Sequence, residues 1–169
     1  MARAGIALGS NLGDRHANLC AALGALRAMA TPGAPVLTAP IYQTSPRDCP
    51  PGSPDFFNTV IEMGFDGGSR DLLDRTRALE THLGRFGGCV RNAPRVIDID
   101  LLYVGDEIIC DETLVLPHPR LGERRFVLQP LADIRSDLVL PGQSLSIAER
   151  LGELPPGEAP LVRVADALI

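Results

Sequence analysis

Apolar and polar positions alternate through "RVIDIDLL", Arg95 to Leu102. A period of two predicts a strand, with Val96, Asp98, Asp100 and Leu102 on one face and Ile97, Ile99, Leu101 and Tyr103 on the other. The second face reads as core. The first carries two carboxylates roughly 6.6 Å apart along the chain. The same reading predicts strands over Arg3–Leu8, Val36–Thr44 and Phe56–Phe65. Helical spacing places Leu19, Leu23, Leu26 and Ala30 on one stripe behind Asp14, a good N-cap. A second helix opens near Ser69, with Leu72, Thr76, Leu79 and Leu83 inward and Glu80 at the margin. "VGDEI" predicts a hairpin turn into Ile108 and Ile109. Phe126, Leu128 and Leu131 mark a third helix, and a short last helix follows "LPGQS". The segments "SPRDCPPGSPD" and "GRFGGCVRNAP" are broken by proline and glycine and read as long loops that could cover a substrate.

The order strand, helix, strand, strand, helix, strand predicts an α+β, ferredoxin-like sandwich. Its sheet is mainly antiparallel and its helices pack on one face. No repeat or linker divides the 169 residues, 45% of them hydrophobic, so one domain over 1–169 is expected. No apolar run approaches the roughly 18 residues of a membrane span, and a soluble, cytoplasmic monomer is expected. The four cysteines form no CxxC pair, which favours reduced thiols over zinc or disulfides. A net charge of -5 argues against nucleic-acid partners. All sixteen basic residues are arginines. That removes the phosphate lysine of a Walker loop and any Schiff-base chemistry. Anions must then meet arginine, histidine, backbone N–H groups or metal.

From spacing alone, Asp98 and Asp100 fit a solvated edge as well as a metal pair. The apolar flanks make unpartnered charge costly. Arg85 and Arg95 bring cations close, and hard oxygen ligands in this arrangement suit Mg²⁺ with substrate phosphates. "GSNLGDR", with Gly9 and Gly13 between strand and helix, fits a phosphate cradle or a tight turn equally well. His118 is fixed between two prolines. Asn58 offers the donor and acceptor that an amide-edged heterocycle needs. Arg120, Arg124 and Arg125 gather at a helix start, where a helix prefers anions.

The segments "IALGSNLGDR", "YQTSP", "DFFNTV", "LETHLGR", "NAPRVIDIDLLYVGDEII" and "LVLPHPRLGERRFVLQPL", in this order over Gly5 to Gly142, resemble the 6-hydroxymethyl-7,8-dihydropterin pyrophosphokinases of folate biosynthesis. The resemblance implies transfer of the diphosphate of ATP to the pterin's hydroxymethyl oxygen, with release of AMP, on a ferredoxin-like fold. It assigns Asp98 and Asp100 to two Mg²⁺ ions, and Arg85 and Arg95 to the phosphates. Glu80, Leu101, His118 and Arg124 match nucleotide contacts. Gly9, Thr44, Phe56, Asn58 and Phe126 fall on the pterin side. The chain departs from the family where Asn92 replaces a loop tryptophan, Gly87 an arginine, and Thr113 and Val115 an arginine and a threonine at ATP. The alternatives are a pterin- or nucleotide-binding module without turnover, and an acidic cation-binding domain. Closure of the two long loops, Arg47–Asp55 and Gly84–Pro94, over both ligands is a further expectation.

Overall fold

A computed structural model of the chain describes residues 1–46, 51–84, 94–156 and 161–167. The central strand β1 (Ala2–Ser10) runs between β4 (Phe56–Phe65) and β5 (Asp98–Val104). Next to β4 come the short β2 (Leu37–Thr38) and β3 (Ile41–Thr44), and β8 (Val162–Ala165) closes the far edge. Every pairing is antiparallel, in the order β5-β1-β4-β3-β8. Helix α1 (Arg15–Met29) joins β1 to β2, and α2 (Ser69–His82) joins β4 to β5. This is the expected ferredoxin-like order. Asp14 caps α1 as its sequence position predicts, accepting from the N–H of Ala17 at 3.0 Å.

Three local features differ from the sequence pattern. The strand expected over Val36–Thr44 is interrupted after Thr38, because Pro40 has no N–H to give a ladder. The hairpin expected after β5 forms one step later: Gly105 turns with φ +51°, and β6 (Ile109–Cys110) pairs with β7 (Val115–Leu116) as a separate ribbon. In β5 the register slips opposite Gly5 and Ile6, so that Leu101 faces Ile6 and Tyr103 faces Gly5. That bulge moves Tyr103 away from Ile97, Ile99 and Leu101 and into the core on the opposite face, with Leu102.

The sheet carries helices on both faces, where the sequence pattern predicts them on one, because the C-terminal helices cover the face opposite α1 and α2. Ala4, Ile6 and Leu8 of β1 pack with Ile61 and Met63 of β4 under the stripes of α1 and α2. Leu19, Leu23 and Leu26 of α1 are fully buried there, each contributing about 1.5–3 kcal/mol by leaving water. The other face carries α3 (Arg125–Arg135) and α4 (Ile147–Gly152), packed through Val127, Leu128, Leu131 and Ile147 onto Val60, Leu102 and Tyr103. On this second face β1 presents Arg3 at its start and then only Gly5, Ala7 and Gly9, so larger neighbours on β4 and β5 can lean across the small residues.

Candidate active site

The register builds a row across the second face. Gly9 lies opposite Asn58 on β4 and Asp98 on β5; Ala7 lies opposite Val60 and Asp100. An amide and a carboxylate therefore flank a strand position with no side chain. A Cβ on Gly9 would stand 3.2 Å from Asn58 Oδ1 and 3.7 Å from Phe56 Cδ1. The floor of a cleft of about 380 Å³ is this row. Thr44 and Phe56 bound it from β3 and β4, and Phe126 from the first turn of α3. The Asn58 Nδ2 donates to Thr44 Oγ1 at 2.8 Å, which orients the amide and leaves its oxygen toward Gly9.

Charged groups line the other end of the same cleft: Arg95, Asp98, Asp100, His118, Arg120 and Arg124. Arg95 donates to Asp98 Oδ1 at 2.5 Å, and Arg124 lies 3.6 Å from Asp100 Oδ2. Burial opposes the charge on Arg95, but Asp98, Asp100 and Glu80 outweigh it and raise its pKa. At Arg124 burial prevails and lowers the value, aided by the charge on Arg120. Burial also depresses His118, to about 4, with Arg124 and Arg120 adding to the effect. The imidazole is therefore neutral at pH 7. Its Nδ1 accepts from the N–H of Arg120 at 3.1 Å, which puts the ring proton on Nε2.

A second cleft, of about 1040 Å³, opens on the other side of β5 and shares Arg95, Asp100, His118 and Pro119 with the first. Glu80 and Leu101 line it. Glu80 is 4% exposed and accepts from the N–H of Ile99 at 2.9 Å, tying α2 to the strand between the two aspartates. Thr113 and Val115 also line this cleft. Arg77 of α2 donates to the Thr113 carbonyl at its rim.

Thus Gly9, Thr44, Phe56, Asn58 and Phe126 converge on one cleft, and Glu80 and Leu101 on the other. Arg95, Asp100 and His118 belong to both, while Asp98 and Arg124 line the first. Arg85, Gly87 and Asn92, with most of the two long loops, lie outside the described residues. The side chains of Asp98 and Asp100 are 28% and 40% exposed, on one face and two residues apart. Their oxygens suit a hard divalent cation. Among the described residues no third acidic, histidine or cysteine ligand joins them. That donor set fits Mg²⁺, which takes one or two carboxylates and fills its shell with water and phosphate.

Asn11 is the residue the pattern missed. It is 1% exposed, and its side chain contacts both Pro54 and Arg95. Its one signal in the sequence is an asparagine in the turn just after the first strand.

Comparison with known proteins gives a consistent picture. The family model described as 7,8-dihydro-6-hydroxymethylpterin-pyrophosphokinase matches residues 5–136. The chain is 40% identical over 159 residues to the 2-amino-4-hydroxy-6-hydroxymethyldihydropteridine pyrophosphokinase of Methylorubrum extorquens, covering 92% of this chain and 96% of that protein. It is 37% identical over 145 residues to the Haemophilus influenzae protein of the same name, covering 86% and 89%. With the folic acid synthesis protein fol1 of Pneumocystis carinii it shares 40% identity over 147 residues, covering 85% of this chain but only 19% of that one. The fold matches a Plasmodium falciparum HPPK-DHPS crystal structure with TM-score 0.71 at 12% identity, over 90% of this chain and 44% of that one.

Proposed function

The chain belongs to the 7,8-dihydro-6-hydroxymethylpterin-pyrophosphokinase family, and from that premise we propose that it transfers the diphosphate of ATP to 6-hydroxymethyl-7,8-dihydropterin in folate synthesis. The observation that carries the reading is the row Asp98–Gly9–Asn58. It sets a carboxylate suited to a hard cation beside an amide, with room between them for a flat ring.

In this reading the pterin lies over Gly9. Asn58 and Thr44 meet its polar edge, and Phe56 and Phe126 take its faces. ATP occupies the second cleft, with its nucleoside between Glu80 and Leu101 and its triphosphate reaching the residues shared by both clefts. The pterin's hydroxymethyl oxygen forms a bond to the β-phosphorus. The bond from that phosphorus to the bridging oxygen of AMP breaks, and the hydroxyl proton is lost. Arg95, Arg124 and Arg85 hold the phosphate oxygens as charge shifts onto the AMP leaving group. Neutral His118 donates through Nε2 rather than adding a charge. Asp98 and Asp100 would hold the two Mg²⁺ ions, which would supply electrophilic charge to the triphosphate when bound. Positioning of the two substrates accounts for most of the acceleration. We take the protein to act as a cytoplasmic monomer on small molecules alone, and the net charge of -5 supports the exclusion of nucleic acid.

The test is AMP formation from ATP, Mg²⁺ and 6-hydroxymethyl-7,8-dihydropterin. Wild type is expected to release AMP only when pterin is present, and Asp98→Ala to lower the rate roughly 10²–10³-fold while remaining folded. Tight binding of both ligands without AMP release would instead identify a binding module.

A further inference from the structure

Asn11 stands one residue beyond β1, and the transfer reading gives it no part. Its amide is used on both segments that border the cleft. Oδ1 accepts from the backbone N–H of Arg95 at 2.7 Å, and Nδ2 donates to the carbonyl of Pro54 at 3.2 Å. The backbone N–H of Asn11 also donates to the carbonyl of Arg95, at 3.1 Å. One residue thus grips both backbone polar groups of Arg95, whose guanidinium reaches Asp98. Pro54 lies two residues before Phe56. Its neighbour Asp55 is fixed in turn, through its carbonyl by Arg15 at 2.9 Å and through its carboxylate by Gln43 at 2.7 Å. Asn18 braces the turn around Asn11, donating to Ser10 Oγ at 3.1 Å and to the Leu12 carbonyl at 2.9 Å.

We propose that Asn11 is a positioning residue for diphosphate transfer: it aims Arg95 at the phosphates and locks that aim to the pterin-side segment at Pro54. The inference rests on the transfer reading above. An arginine reaches its target through a long, flexible stem, so the guanidinium is only as well placed as the backbone that carries it. Holding that backbone at both N–H and C=O removes the freedom that would let it drift. A displacement of about 1 Å in a reacting arrangement costs up to about 10²-fold in rate. A merely structural asparagine would have a different signature: lower stability, with unchanged turnover wherever the variant is folded.

A double-mutant cycle separates the two. The kcat for AMP release is measured below the unfolding midpoint for wild type, Asn11→Ala, Arg95→Ala and the double variant. Asn11→Ala is expected to lower kcat about 10–100-fold. The double variant is expected to be no slower than Arg95→Ala alone, because the route through Arg95 is already lost. Losses that multiply in the double variant, or an unchanged kcat in Asn11→Ala, overturn the proposal. Should Asn11→Ala not fold, Asn11→Asp decides. It keeps the acceptor for Arg95 but loses the donor to Pro54, so kcat should stay within about threefold while the KM for pterin rises. A collapsed kcat with an unchanged pterin KM in that variant would also overturn it. A wild type that releases no AMP refutes the transfer reading, and this proposal with it.

Discussion

Gly5 and Gly9 lie four residues apart on β1 and face the same helix layer, yet the protein treats the two gaps in opposite ways. Over Gly5 it lays its own ring: a Cβ there would overlap Tyr103, whose hydroxyl donates to Glu62 at 3.0 Å. Glu62 is fully buried and is met by Arg3 at 3.0 Å and by Arg135. Burial works against its ionisation, but these hydrogen bonds prevail and lower its pKa. Over Gly9 the space is a cleft, and the nearby aspartates keep a substantial share of their surface exposed. Helix α3 repeats the contrast. Its last turn carries Arg135, where the helix dipole welcomes a cation. Its N-cap is Arg124, with no capping side chain and no acid in the first turn, where the dipole opposes a cation. The sealed end satisfies its own charges. The open end holds Arg124 against the dipole, 3.6 Å from Asp100 and lining the cleft, where an anion from outside would add to that pairing.

That contrast can be broken at the sealed end first. Glu62→Ala leaves two arginines and a tyrosine hydroxyl without their carboxylate, a loss of about 3 kcal/mol. Thermal denaturation should show a midpoint lower by about 6–12 °C. AMP release at a temperature where the variant is folded should be nearly unchanged. A sharper test truncates the two ends of α3 in parallel. Arg124→Ala should slow AMP release roughly 10–100-fold and leave the melting midpoint within about 2 °C of wild type, since the lost pairing with Asp100 is partly offset at the dipole. Arg135→Ala should do the reverse.

The smallest expected effect concerns pH. His118 falls from an ordinary value of 6.5 to about 4 on folding, so between these limits the unfolded chain binds the extra proton. Its contribution to stability is complete above about pH 6.5 and is lost as pH falls toward 4. Melting curves at pH 7 and pH 5 should show the decline, and His118→Gln should flatten it. An equally steep decline in the variant would assign the pH dependence to other groups.

Much of the open end was legible because its signals are local. Alternation through Arg95–Leu102 placed Asp98 and Asp100 on one face, and the face they share with Gly9 follows from antiparallel pairing. Helix stripes and the Asp14 cap needed no tertiary knowledge. The sealed end was illegible for the converse reason. Glu62 interrupts an apolar strand, and its partners come from 59 and 73 residues away and from across a bulge. The bulge itself adds one residue to β5 and reverses Tyr103, which no period-two reading anticipates. Asn11 escaped notice similarly, because its partners lie 43 and 84 residues along the chain. The pairing of β8 with β3 also joins segments more than a hundred residues apart, beyond the reach of local pattern.

The bare backbone at Gly9 also limits how this chain can change. Even a methyl group there would press on the oxygen of Asn58 and approach the ring of Phe56. On the proposed reading, any substitution bulky enough to evict a competing flat molecule also fills the volume assigned to the pterin. An inhibitor designed to rest on that stretch of peptide would therefore meet a surface whose simplest escape mutations also cost the cell its turnover.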